Sequence, residues 1–295
     1  MAQALLRHAA LTLKQRNDTV QFTAHEKGIR LTAGTQNLEI PLPSDVPELQ
    51  SGLKQLLQFG HAIEPDSDLQ AMSLAVLSAM LEENLSNTRI ATPTEHQHGE
   101  QKAPAFVQSE LSGLPVLRIH CFNMELATQI DSILQTNPKG LIFDLRGSQG
   151  GYLNNTLKVM EQFIPAEKPL YKKAASKQVV QSKGTPNSWP LQPIWVLVDA
   201  QTTNVAELFA ASLRTYRNAT VVGTPTHGMR DIRSVHALPF KNTQLLVLTD
   251  QWLMPEETSA PPIKPDVDVL WNADEAQNQQ RLTEVMNETQ TNESP

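Results

Sequence analysis

Thr202, Thr203 and His227 are of the types that nucleophilic chemistry uses, a hydroxyl to attack and an imidazole to take its proton. They flank a stretch whose pattern would position them. Ile194–Val198 is an apolar run too short for a core helix and of the right length for a strand buried on both faces. After a polar turn, Val205, Leu208, Phe209, Leu213 and Tyr216 recur at helical spacing. Asn204 stands where an N-cap belongs, with Glu207 three residues on, close to a capping-box arrangement. A second apolar run, Ala219 to Val222, leads into Gly223-Thr224-Pro225-Thr226-His227-Gly228-Met229. Strand, sharp turn and helix N-terminus are the geometry that holds a nucleophile beside orphan backbone N–H groups.

Other residues invite chemical readings and are better explained otherwise. Asp144 and Arg146, two apart at a strand end, face the same side and read as a structural ion pair or turn anchor. His120 and Cys121 are adjacent, so on a strand they point to opposite faces and cannot form a nucleophile–base pair; Cys121 reads as a small buried hydrophobe. His96 and His98, with Glu95 and Glu100, sit in polar sequence without periodicity and read as solvated loop rather than a metal site. Lys172, Lys173, Lys177 and Lys183 read as a solvated face.

Three motifs carry a family resemblance. GLIFDLRGSQGGY (Gly140 to Tyr152) resembles the LILDLRGNPGG signature of the S41 peptidases, the C-terminal (tail-specific) processing proteases. The stretch around Glu207 and Val222-Gly223 resembles that family's SASASE, helix, VVGxxTFGKG core, and Pro262-Ile263-Lys264-Pro265-Asp266-Val267 resembles its GIKPDV, with Pro262 for Gly. The order and internal spacing match over about residues 106–270. The resemblance implies an α/β fold: a ClpP/crotonase-like core with a small N-terminal β-meander and helices beside it. It also assigns positions. The family's nucleophilic Ser falls on Asn204, its general-base Lys on Met229 and its Gln on Arg233, while its oxyanion hole falls on the N–H groups of Gly150, Gly151 and Val205. A carboxamide is a poor nucleophile and a thioether has no acid–base chemistry. Backbone donors do not depend on side-chain type, so the cradle is expected to outlast the dyad. The expectation is an inactive homologue that binds an extended peptide or a partner protein, with a rebuilt peptidase site on Thr202, Thr203 and His227 as the alternative.

Composition excludes several other classes. With 31 acidic against 24 basic residues, a net charge of -7 and no basic cluster, nucleic acid is not an expected partner. One cysteine forbids an internal disulfide or a multi-cysteine metal cage, and no cofactor or metal is expected. No run approaches the ~20 apolar residues of a membrane span. The N-terminal stretch is broken by basic and polar residues and makes a poor signal peptide, which reads as cytoplasmic if that terminus is complete. The resemblance implies an exported or periplasmic protein instead. A homo-oligomer is compatible with either.

The chain divides into an N-terminal region (1–98), a linker (99–105), the α/β core (106–272) and a polar tail (273–295) with a helical start and a disordered end. In the first region, residues 1–16 read as a short helix or strand. Thr19 to Leu42 alternates like an antiparallel meander. A helix capped by Ser44 or Asp45 then presents Leu49, Leu53, Leu56 and Leu57, and a second helix spans Ser67 to Leu85. Residues 86–104 are too few for the PDZ domain that many S41 proteases insert there.

Overall fold

Short apolar runs become buried strands, and the loops after them carry the site. The computed structural model describes residues 2–64, 89–91, 105–184, 192–237, 244–259 and 261–292. The expected helix over Ser67 to Leu85 and the His96/His98 loop lie outside them. The chain forms two units, Met1–Glu95 with Arg233–Leu248, and His96–Ile232 with Thr249–Pro295. Residues 233–248 therefore group with the N-terminal part rather than with the core that holds their sequence neighbours.

In the first unit, α1 (Ala2–Arg16) precedes an antiparallel meander of β1 (Gln21–His25), β2 (Gly28–Ala33) and β3 (Gln36–Pro41). α2 (Val46–Ile63) follows, and Asp45 is its cap, its carboxylate accepting the Glu48 N–H at 2.9 Å. Leu49 and Leu56 of α2 join Leu6, Ile29, Leu31 and Ile40 in this unit's core. β4 (Arg89–Ala91) pairs antiparallel with residues 244–246.

The second unit is built on a six-stranded sheet. In chain order its elements are β5 (Phe106–Leu111), β6 (Leu114–Ile119), α3 (Leu126–Leu134), β7 (Leu141–Asp144), α4 (Leu153–Met160), β8 (Pro169–Lys173), β9 (Val179–Gln181), β10 (Ile194–Val198), α5 (Val205–Arg217) and β11 (Thr220–Gly223). β12 (Asp231–Ala237), β13 (Gln244–Leu253), β14 (Val267–Asp268) and α6 (Glu275–Asn292) complete the chain. The sheet runs β14-β11-β10-β7-β6-β5, parallel except for the β5–β6 hairpin. All five residues of β10 are buried, as a central parallel strand requires. One face packs against α3, α4 and α5, where Phe122, Phe143, Phe163 and Phe209 meet edge to face at 5.0–6.4 Å. The other face is covered by α6 through Leu282, Val285 and Met286, against Ile142, Trp195 and Leu197.

The helical start expected of the polar tail runs over residues 275–292, where three apolar side chains in a polar segment suffice to seat it, and the end of the tail lies outside the described residues. Cys121 is corrected, being half-buried, since it lies just past the end of β6 rather than inside the strand.

Candidate functional site

Three loops leave the C-terminal ends of β7, β10 and β11, the edge where parallel α/β sheets place their ligands. The loop after β10 is locked to the loop after β7. Asp199 accepts the N–H of Gly147 at 3.0 Å, of Gln201 at 3.0 Å and of Thr202 at 2.9 Å. The Thr202 hydroxyl donates to the carbonyl of Leu145 (2.9 Å), and the Thr203 N–H donates to that of Ser148 (3.0 Å). The third loop joins through His227, whose N–H reaches the Thr202 carbonyl at 3.0 Å.

At the head of α5, Asn204 adopts φ 55° and ψ -122°, outside the regions that side chains ordinarily allow. The conformation is that of a sharp strand-to-helix turn of the nucleophile-bearing kind. Only half of the expected capping box forms. The N–H of Asn204 is taken by Glu207 at 2.9 Å, but Glu207 N–H goes to the Asn204 backbone carbonyl, and Asn204 Oδ1 is buried with no partner among the described residues.

Glu207 does more than the spacing suggested. It is fully buried, and its second oxygen accepts the Thr226 hydroxyl (2.5 Å) and the Gly228 N–H (2.8 Å). Burial pushes its pKa up, against hydrogen bonds from Thr226, Gly228 and Asn204 and the charge of Arg230. One carboxylate thus ties the turn at Asn204 to the loop that carries Met229. Thr226 Oγ1 also accepts the Ile263 N–H at 2.8 Å, which brings in the third sequence motif.

Gly150 passes close over the α5 N-terminus: a Cβ there would lie 3.1 Å from the Thr203 carbonyl and 3.3 Å from the Val205 nitrogen. Phe122 N–H donates to the Gly150 carbonyl at 2.9 Å, which fixes the other side of this loop. Among the described residues, no carbonyl or side chain accepts the N–H groups of Gly150, Gly151 or Val205. The site therefore presents backbone donors at a helix N-terminus, with the positive end of its dipole.

Of the remaining candidates, Met229 is half-buried and His227 exposed, whereas Thr202 and Thr203 are buried. Thr203 Oγ1 has no hydrogen-bond partner among the described residues, so no bond joins it to His227. Arg233 lies on β12 and belongs to the first unit. Asp144 and Arg146 form the ion pair expected of them, with Nη2 at 2.7 Å and Nε at 2.8 Å from the carboxylate. Arg146 also reaches Glu275 at 2.8 Å and stacks over Trp271 at 4.6 Å. Burial would lower its pKa, but Asp144 and Glu275 hold it above the ordinary value.

Three residues that hold these loops in place were missed in the sequence: Asp199, Thr226 and Arg230. Asp199 could have been found, since Asp followed by small polar residues is an Asx-turn signature. Arg230 is fully buried, pairs with Glu257, bonds the Pro261 carbonyl at 2.5 Å and stacks on Trp252 at 4.3 Å. Its partners lie more than twenty residues away and leave no local trace.

The family model for Peptidase family S41 matches residues 114–269, just over half of the chain. The chain belongs to peptidase family S41. It is 30% identical over 132 residues to the carboxy-terminal processing protease CtpA of Bacillus subtilis, a match covering 44% of this chain and 28% of that protein. To a probable CtpA-like serine protease of Staphylococcus aureus it is 28% identical over 164 residues, 52% of this chain and 33% of the relative. The chain thus matches about a third of the length of these curated relatives. A solved lipoprotein structure from Streptococcus agalactiae superposes with a TM-score of 0.56 over 95% of this chain and 96% of that one, at 15% identity, a likeness of fold alone. Among the described residues no helix is long and apolar enough to cross a membrane.

Proposed function

We propose that this chain is an S41 homologue without peptidase activity that holds an extended peptide or a segment of a partner protein in its retained cleft. The observation that carries the reading is Asn204. Its backbone keeps the strained turn of a nucleophile and is held there by Glu207, while its side chain supplies none. Met229, at the base position, cannot take a proton. Losing one member of a catalytic unit removes nearly all of its contribution, and here both positions are changed. What remains is a set of N–H groups at Gly150, Gly151 and Val205 with no acceptor among the described residues, suited to a peptide carbonyl or carboxylate.

The alternative, a rebuilt peptidase using Thr202, Thr203 and His227, has less support. The Thr202 hydroxyl is committed to the Leu145 carbonyl, and Thr203 is buried. The test is proteolysis of an unfolded protein by the wild type beside an Asn204→Ser plus Met229→Lys double variant. The wild type is expected to be silent and the double variant to cut. Cutting by the wild type that disappears with Thr203→Val or His227→Ala would overturn the proposal in favour of the alternative.

A further inference from the structure

The six-stranded sheet ends on β5, which among the described residues pairs only with β6. The hairpin between them closes through Ser112 and Gly113, both at positive φ, so Leu111 and Leu114 form the first mutually bonded pair. Antiparallel alternation then turns the N–H and C=O of Phe106, Gln108 and Glu110 away from the sheet. The Ala105 carbonyl, which takes the His120 N–H at 2.9 Å, keeps the same phase. The edge has no proline, no lysine and no bulge to block an added strand, and residues 107–110 are exposed.

A depression flanks β5 on each face. Phe106, Gln108 and Glu110 line a groove of about 620 Å³ with Gln129 and Ile133 of α3. Val107 and Ser109 line a pocket of about 180 Å³ on the opposite face, with Arg118 and Trp271. A strand laid on β5 would send alternate side chains into the two depressions. Edge-strand addition works this way, the main chain supplying affinity and alternate pockets specificity.

Charge selects the occupant. Among the described residues, Glu110 is the sole charged one lining the α3 groove. In the opposite pocket Arg146 is occupied by Asp144 and Glu275, which leaves Arg118 as the available cation. Its side chain is 42% exposed, its Nε stands 3.8 Å from Asp144, and that Nε has no hydrogen bond among the described residues. Arg118 is the cross-strand neighbour of Val107, three positions from Glu110. We propose that the outer edge of β5 is a second binding site, which takes an extended segment of a partner protein as an added strand with a basic residue over Glu110 and an acidic residue three positions away over Arg118. The site is built from different residues than the cleft and does not depend on its chemistry.

The probe is the fluorescein-labelled peptide Ser-Lys-Val-Thr-Glu-Val-Ser, whose Lys and Glu fall on opposite faces at the required spacing. Binding is read by fluorescence polarisation. Gln108→Pro deletes an outward N–H and leaves the β6 ladder intact, so binding should fall roughly tenfold or more, about the worth of one good hydrogen bond. Glu110→Lys should weaken the probe similarly and restore binding to a version with Glu in place of Lys. A Gln108→Pro protein with unchanged thermal unfolding and unchanged probe affinity would overturn the proposal. So would a wild-type dimer in sedimentation that Gln108→Pro converts to monomer, since a second copy would then hold the edge. Protection of the 106, 108 and 110 amides from exchange before any peptide is added would overturn it too, because the chain itself would cover β5. Probe binding that fails on β5 leaves the cleft reading standing, which is tested by the Asn204/Met229 variant.

Discussion

Glu207 accepts the backbone N–H of Asn204 at 2.9 Å, and that bond helps to hold a non-glycine residue at φ 55°. Backbone strain of this kind costs on the order of 1–3 kcal/mol and persists only where the surroundings over-determine it. In a peptidase the strain would aim a hydroxyl. Here it aims a carboxamide whose oxygen finds no partner among the described residues.

Asn204→Gly should therefore stabilise the fold by about 1 kcal/mol, because glycine adopts positive φ without steric cost. If the Asn204 side chain were the helix cap, the same change would cost a few tenths of a kcal/mol instead. Denaturant unfolding of the two proteins decides the sign.

Glu207→Leu should cost more than ~3 kcal/mol, since it leaves the Asn204 N–H, the Gly228 N–H and the Thr226 hydroxyl buried without an acceptor, at ~1–3 kcal/mol each. The pH dependence has a definite sign. Burial raises the Glu207 pKa above the ordinary 4.5 of a glutamate, so the folded state binds its proton more tightly than the unfolded chain. Its favourable contribution is fully present below pH 4.5 and is lost as pH rises through the folded pKa. The stability difference between wild type and Glu207→Gln should narrow from acid pH toward neutrality. A difference that widens over this range would sink the argument.

The strands and helices of the second unit were legible because their apolar residues are local and periodic, as at Ile194–Val198 and Val205–Tyr216. So was the pairing of Asp144 with Arg146, two residues apart. What could not be read was which partner a buried polar group would choose across the chain. Glu207 was recognisable as the third residue of a helix, but Thr226 and Gly228 lie 19 and 21 residues beyond it. The extent of the α6 helix was not legible because its stability comes from seating Leu282, Val285 and Met286 on the sheet, not from its own polar sequence.

Asp144→Asn should destabilise by about 3–5 kcal/mol, the range for breaking a buried ion pair by removing one partner. Arg146 is 7% exposed and would keep Glu275, whose side chain is 52% exposed, and the face of Trp271. Thermal and denaturant unfolding should agree on the loss. A change below ~1 kcal/mol would mean that Glu275 and the Trp271 face alone compensate the guanidinium.

Two glycines separate steric necessity from conformational preference. Gly223 ends β11 at φ 139°, and a Cβ there would lie 1.9 Å from the Val198 carbonyl oxygen, which already accepts the Trp271 indole N–H at 2.8 Å. The clash is with backbone of the adjacent parallel strand, which cannot rotate away without opening the β10–β11 ladder beside the site. Gly147 has a comparable need for positive φ, at 70°, but a Cβ there meets nothing within 4 Å. Gly147→Ala should cost only about 1 kcal/mol, the conformational penalty alone. Gly223→Ala should cost upwards of ~4 kcal/mol, enough to remove cooperative unfolding from a marginally stable domain. Equal losses in the two variants, measured by denaturant titration, would refute the close approach of β11 to Val198 on which the position of the Thr226–Met229 loop depends.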